Sequence, residues 1–127
     1  MDNSILDTQQ ATLYDRLGGE PSVRKIVSDV LDKNLSNAKI SHHFQKVDMD
    51  QLKQLVFQFF SMGTGGPHQY SGRDMITAHT GLNISENDFE IANDDTVEAL
   101  KENGVGENEI NEVMAILNSM QNDIVGR

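Results

Sequence analysis

The sequence predicts a single all-α domain, on the strength of three observations. Apolar residues recur at three- and four-residue spacing, which is the pattern of one face of an α-helix. Clusters of glycine and proline separate these segments, and no segment has the strict apolar–polar alternation of a half-buried strand. The chain has 127 residues, a length that supports one domain with an ordinary hydrophobic core.

The first predicted helix is short and the second is long. The letters TLYDRL form the first helix, and Gly18-Gly19 end it, because glycine readily takes the left-handed conformations that close a helix. Pro21 then stands where the first residue of the second helix belongs. The apolar face of that helix consists of Val23, Ile26, Val27, Val30, Leu31 and Leu35. The letters SNAKISHHF that follow predict a short helical turn and a corner.

The third main helix is predicted to be the most apolar element of the protein. Asp48 can cap its start, with Gln51 in the capping-box position. Its apolar face consists of Leu52, Leu55, Val56, Phe57, Phe59 and Phe60. The letters GTGGP at positions 63–67 end the helix, because proline cannot continue it and glycine permits the chain to reverse.

The C-terminal half is predicted to contain three further helices. A loop leads into a short helix that ends near His79. Ser85 opens the next helix, which closes at Gly104. The last helix carries Ile110, Val113, Met114, Leu117, Met120 and Ile124 on its apolar face.

Composition excludes several classes of function. The formal net charge is -10, which argues against binding to nucleic acid or to an anionic membrane surface. The absence of cysteine excludes disulfides, cysteine zinc sites and iron–sulfur clusters. The first ten letters lack the basic and apolar regions of a secretory signal, and no apolar run reaches bilayer-spanning length. A cytoplasmic protein is therefore expected.

The histidines are the residues most open to interpretation. Adjacent helical residues point about 100° apart, so His42 and His43 make a poor bidentate pair, and no spacing typical of zinc proteins occurs. The letters VDMDQ lack the pattern of a calcium loop. Serines and threonines sit in no nucleophile elbow, and GTGGP follows a helix, unlike a phosphate loop. His79, within MITAHTGLN, is either an ordinary core histidine or a ligand, and the residues alone do not decide between these.

Five stretches of the sequence, taken together, favour the interpretation of His79 as a ligand. LYDRLGG, HHF…VDM, FF…GG, QYSGR and AHTGLN occur in an order and at separations that resemble group I of the truncated haemoglobins. The likeness runs from about Thr12 to the C-terminal helix. A globin domain is therefore expected over residues 12–127, after a polar N-terminal extension over residues 1–11. The resemblance implies a two-on-two helical sandwich around one haem b per chain.

The resemblance also implies roles for individual residues. His79 matches the proximal iron ligand, and its second ring nitrogen then needs an acceptor, expected to be a nearby backbone carbonyl. Phe44 matches the corner phenylalanine that packs flat on the macrocycle, and Lys53, Tyr70 and Arg73 are candidates for holding the propionates. The full set of expected haem contacts is Phe44, Leu52, Lys53, Leu55, Val56, Phe59, Phe60, Tyr70, Arg73, Met75, Ile76 and Phe89.

The chain departs from the family in the distal pocket. Group I proteins usually hydrogen-bond the iron-bound ligand with a tyrosine from the second helix and a glutamine or similar group from the distal helix. The matching residues here are Leu31, Leu52, Leu55 and Val56, none of which can donate a hydrogen bond. Gln51, Gln58 and His43 flank the site. A second, covalent haem attachment, which some relatives make through a C-terminal histidine, is not expected, since NSMQND contains none.

Three functions are compatible with these expectations. The first is reversible binding of O2, CO or NO at a His79-ligated haem iron, for oxygen carriage, storage or sensing. The second is nitric oxide dioxygenase activity, which would require a separate reductase. The third is a haem-free helical interaction module that keeps only the fold.

Overall fold

The computed structural model of the chain describes residues 11–127, and every regular element in that range is helical. The predicted extension over residues 1–11 lies outside the described residues, apart from Ala11. The elements are α1 (Leu13–Arg16), α2 (Gly19–Ser36), a 3₁₀ turn (Ser41–Phe44), α3 (Met49–Gly63), α4 (Met75–His79), α5 (Glu86–Glu102), α6 (Glu107–Asn118) and α7 (Gln121–Ile124). The predicted all-α class is confirmed.

Two packed helix pairs form the body of the molecule. Helix α2 packs against both α3 and α5, and α5 packs against α6. The core lies where these helices meet, and its most deeply buried large side chains are Val23, Ile26, Phe57, Leu100 and Val113. Most of the apolar face predicted for α2 is thus buried, whereas Leu35, which was assigned to the same face, is 41% exposed.

Two predicted helix starts, at Asp48 and Ser85, are confirmed by their caps. The Asp48 carboxylate accepts hydrogen bonds from the N–H groups of Asp50 and Gln51 at the start of α3. At the start of α5, Ser85 and Asp88 form a reciprocal capping box. Side chains of this kind satisfy N–H groups that have no partner within the helix.

Two predicted boundaries are wrong. Helix α2 begins at Gly19, two residues before Pro21, which lies within the first turn, where a missing N–H costs nothing. The predicted last helix is interrupted after Asn118, and residues 121–124 form a separate short helix. The Ser119 hydroxyl donates to the carbonyl of Ile116 at 2.6 Å, a local bond that competes with continuation of the helix.

Gly66 is required by a close approach between the turn after α3 and the core. A Cβ at this position would overlap the Ser61 hydroxyl and lie 2.6 Å from Cδ1 of Tyr14. Both neighbours are buried. The Gly66 N–H also donates to the carbonyl of Ser61 at 2.7 Å. The turn that ends α3 therefore depends on the absence of a side chain here.

We expect Gly66→Ala to lower the free energy of unfolding by about 1–3 kcal/mol, because the new methyl group overpacks this contact. Gly63→Ala is the matched control, since a Cβ there meets its nearest atom, Cγ2 of Ile116, at an ordinary 3.9 Å. Urea denaturation of the two variants measures the difference. Equal stability of both variants would contradict the packing argument.

No helix among residues 11–127 is both long enough and apolar enough to cross a membrane.

Candidate functional site

His79 is the last residue of α4, and its ring is fixed by the helix that carries it. Its Nδ1 lies 2.8 Å from the carbonyl oxygen of Met75, one turn earlier. Since a carbonyl can only accept, Nδ1 carries a proton, and in the neutral form of the imidazole Nε2 then has the lone pair. The backbone acceptor expected from the sequence is present. This is the arrangement in which a histidine is ready to bind a metal through Nε2.

The C-terminus anchors the segment that carries His79. Helix α4 packs against α7. The Gly81 N–H donates to the carbonyl of Arg127 at 2.9 Å, and the Gly126 N–H donates to that of Ile84 at 2.8 Å. A helix of five residues is too short to be stable alone, so these contacts fix the position of His79.

The apolar face of α3 is incompletely covered by the protein. Of its apolar residues only Phe57 is fully buried, at 1% exposure. The half-buried residues of this face are Leu52, Leu55, Val56, Phe59 and Phe60. On α4, Ile76 is 40% exposed, three residues before His79. Partly exposed apolar side chains grouped in this way are typical of a site that an apolar ligand covers.

Leu31 joins the α3 face to the core. It is 6% exposed and belongs to the buried cluster, against which Phe44, Leu52, Val56 and Phe60 pack. Leu31 and these four residues, all expected from the sequence to line the haem pocket, thus belong to one packed group. Phe59 instead makes an edge-to-face contact with Tyr70, with ring centroids 5.2 Å apart.

The polar residues that flank this group are engaged elsewhere or exposed. The Gln58 side-chain oxygen accepts hydrogen bonds from the N–H and the hydroxyl of Ser71 at 3.2 and 2.9 Å. His43 Nε2 lies 3.1 Å from the Asp88 carboxylate. Gln51 is exposed. These contacts favour a distal face without a hydrogen-bond donor.

The expected propionate partners have contacts of their own. Lys53 Nζ is 2.7 Å from the Asp32 carboxylate, and the Tyr70 hydroxyl donates to the carbonyl of Arg73 at 2.6 Å. Arg73 is exposed and has no salt bridge within residues 11–127. Among the expected wall residues, Phe89 is buried and Met75 is half-buried. Arg73 is therefore the candidate whose charge is most available to a ligand.

A small apolar cavity lies between α3 and α6. Its volume is about 60 Å³, and its lining includes Phe59, Phe60, Val113, Ile116 and Leu117. The volume is far too small for a haem but is sufficient for a diatomic molecule.

His68 takes part in a chain of polar contacts that has the composition of a catalytic triad. Its Nδ1 is 3.0 Å from the Ser61 hydroxyl, and its Nε2 is 3.3 Å from the Glu20 carboxylate. Ser61 has no exposed surface, so no substrate reaches its oxygen. The chain of contacts joins α2, α3 and the glycine turn, and it has a structural role.

The structure also brings together His42, His43 and Asp88, a group that the sequence analysis missed. The two imidazole rings have centroids 4.1 Å apart, although their adjacency was expected to separate them. The residues lie in a 3₁₀ turn, and the third member comes from α5, 45 positions away from His43. Local spacing gave no signal for that contact.

Comparison with known proteins identifies the family. The model of the bacterial-like globin family matches residues 12–125. A group 1 truncated haemoglobin from Tetrahymena pyriformis is 32% identical over 116 residues, covering 91% of this chain and 96% of the relative. Its Fe(III) crystal structure superposes with a TM-score of 0.89, covering 92% of this chain and all of that one.

A second solved structure agrees with the first. The 2/2 haemoglobin from Synechococcus sp., in the cyanomet state and with covalently attached haem, is 30% identical. The superposition covers 92% of this chain and all of that chain, with a TM-score of 0.85. The predicted two-on-two fold is therefore confirmed. With a family match over nearly its whole length, the chain belongs to the bacterial-like globins, and its relatives within them are the group 1 truncated haemoglobins.

Proposed function

We propose that this protein binds one haem b per chain, with His79 Nε2 as the axial ligand, and that the haem binds diatomic gases. The observation that carries the proposal is the hydrogen bond from His79 Nδ1 to the Met75 carbonyl, which leaves Nε2 as the available donor. Membership of a globin family supports it. The role proposed is oxygen binding, in carriage or in gas sensing.

The residues present fit a haem. The partly exposed apolar side chains of α3, together with Phe44 and Ile76, offer surface for the macrocycle. Arg73 offers a cation for a propionate. When bound, the haem would supply an iron atom able to bind O2, CO or NO. The chain supplies the imidazole, the apolar face of α3, and the C-terminal anchor that fixes α4.

The distal side is proposed to be wholly apolar. Leu31, Leu52, Leu55 and Val56 are the residues that match the family's distal positions, and none has a polar side chain. Such a face admits small uncharged gases and gives no hydrogen bond to any of them. Discrimination between gases would then depend on the chemistry of the iron and on pocket volume alone.

We expect the purified protein to show a strong Soret band and about one haem per chain. The dithionite-reduced form should be five-coordinate and high-spin, because the flanking His43 is held by Asp88 at 3.1 Å. Absorption spectra of the ferric, ferrous and CO-bound forms test this expectation.

His43→Ala is the matched control, and its ferrous spectrum should be unchanged. Low-spin ferrous bands that disappear in this variant would show that His43 binds the iron. A colourless protein that takes up no added haem would favour the haem-free interaction module instead.

A further inference from the structure

His42, His43 and Asp88 form a polar cluster where the 3₁₀ turn meets the first turn of α5. Their ligand atoms, one from each residue, all lie within 4.8 Å of one another. The His43 and Asp88 side chains are mostly buried, with 10% and 20% exposure, and His42 is exposed. Two imidazoles and a carboxylate are a donor set that first-row transition metals bind.

We propose that this cluster binds a divalent transition-metal ion of the zinc class, at a site separate from His79. A zinc ion takes nitrogen and oxygen ligands at about 2.0–2.2 Å, so two atoms bound to the same tetrahedral ion lie about 3.3–3.6 Å apart. His43 Nε2 and Asp88 Oδ2 are 3.1 Å apart. A shift of a few tenths of an ångström would therefore give two of the three ligands the separation that a shared ion requires.

The third ligand is placed to close the site. The His42 ring lies beside that of His43, with centroids 4.1 Å apart and planes inclined by 39°. Because His42 is exposed, its ring can rotate toward an ion without disturbing the core. Three protein ligands leave one position of a tetrahedral ion for water or an exogenous ligand.

Asp88 is suited to bind the metal ion as a negatively charged carboxylate. The hydrogen bond from His43, followed by that from the Ser85 N–H, lowers the pKa of the Asp88 carboxyl, so it is ionised at neutral pH. Both of these contacts use Oδ2. A carboxylate oxygen has two lone pairs, so Oδ2 can bind an ion in place of the His43 hydrogen bond and still accept from the Ser85 N–H that caps α5. The net charge of -10 raises the local concentration of cations.

A bound ion would cross-link two elements that are far apart in the sequence. The 3₁₀ turn carries Phe44, the residue expected to pack on the haem, directly after His43. The first turn of α5 carries Asp88. An ion held between them would restrain the corner, so metal binding should stabilise the folded chain.

The test is calorimetric titration of Zn²⁺ into the ferrous, CO-bound protein, in which the iron and His79 are not available to zinc. Excess Mg²⁺ is included to occupy exposed carboxylates, which it prefers over imidazole. We expect one zinc ion per chain, and a rise in the unfolding temperature when zinc is present. His42→Ala and Asp88→Asn should each weaken binding by at least about tenfold.

His68→Gln is the matched control, because His68 and Glu20 form a histidine–carboxylate pair of similar length, 3.3 Å, without a second imidazole. Zinc affinity should be unchanged in this variant. The proposal would be overturned if the parent bound no zinc, or if the His42→Ala and Asp88→Asn variants bound zinc as tightly as the parent. Loss of zinc binding in His68→Gln would also overturn it. His42→Ala alters only an exposed side chain, so its result does not depend on folding. The comparison among variants also holds if the chain is purified without haem.

Discussion

Replacing His79 with glycine is expected to remove most of the haem from the protein. The loss should exceed about tenfold, since removing even an outer partner of a metal ligand costs 10–100-fold in affinity. The described residues hold three other histidines, and two of these have carboxylate partners, His43 with Asp88 and His68 with Glu20. Haem content per chain after purification measures the effect, and added imidazole should restore a five-coordinate ferrous spectrum.

His68→Gly provides the control for this experiment, because it removes a histidine that lies outside the proposed pocket. It should leave the haem content and spectrum unchanged, even if stability falls through the lost contacts with Ser61 and Glu20. If the His79→Gly protein retained its haem with an unaltered spectrum, the assignment of the axial ligand would be wrong.

Much of the fold could be predicted because its determinants are local. Helix caps depend on side chains within three residues of the helix start, and Asp48 and Ser85 were found in this way. Apolar spacing placed Leu31 and Phe57 inside. The interruption after Asn118 was missed because Ser119 has no strong breaking tendency, and only its hydroxyl bond to Ile116 reveals the change.

The site was less predictable because its contacts join distant parts of the chain. The backbone bonds between Gly81 and Arg127 and between Gly126 and Ile84 anchor α4, and backbone groups leave no trace in a residue pattern. The contact of His43 with Asp88 spans 45 positions. His79 itself was identified through the resemblance to a family, since its spacing alone also suits a core histidine.

The second large expected effect is rapid release of oxygen, because the proposed distal pocket has no hydrogen-bond donor. Oxygen bound to ferrous haem carries more negative charge than bound CO, so a hydrogen-bond donor stabilises it selectively. A hydrogen bond of this kind contributes about 1.5–3 kcal/mol, which corresponds to roughly ten- to a hundred-fold in the dissociation rate. Leu31, which we propose occupies the family's tyrosine position, cannot supply it. Leu31→Tyr should therefore slow oxygen release by about a decade and change CO release much less.

The Leu31→Phe variant distinguishes the effect of the tyrosine hydroxyl on oxygen release from the effect of the size of the ring. Leu31 is 6% exposed within the packed core, so either aromatic ring adds volume that costs stability. Only the tyrosine adds a donor, and stopped-flow dissociation of O2 and CO in the parent and both variants isolates its contribution. Equal slowing in both variants would assign the effect to pocket volume. Slow oxygen release in the parent, insensitive to Leu31→Tyr, would mean that Gln51, Gln58 or His43 reaches the bound gas, despite the contacts that hold Gln58 on Ser71 and His43 on Asp88.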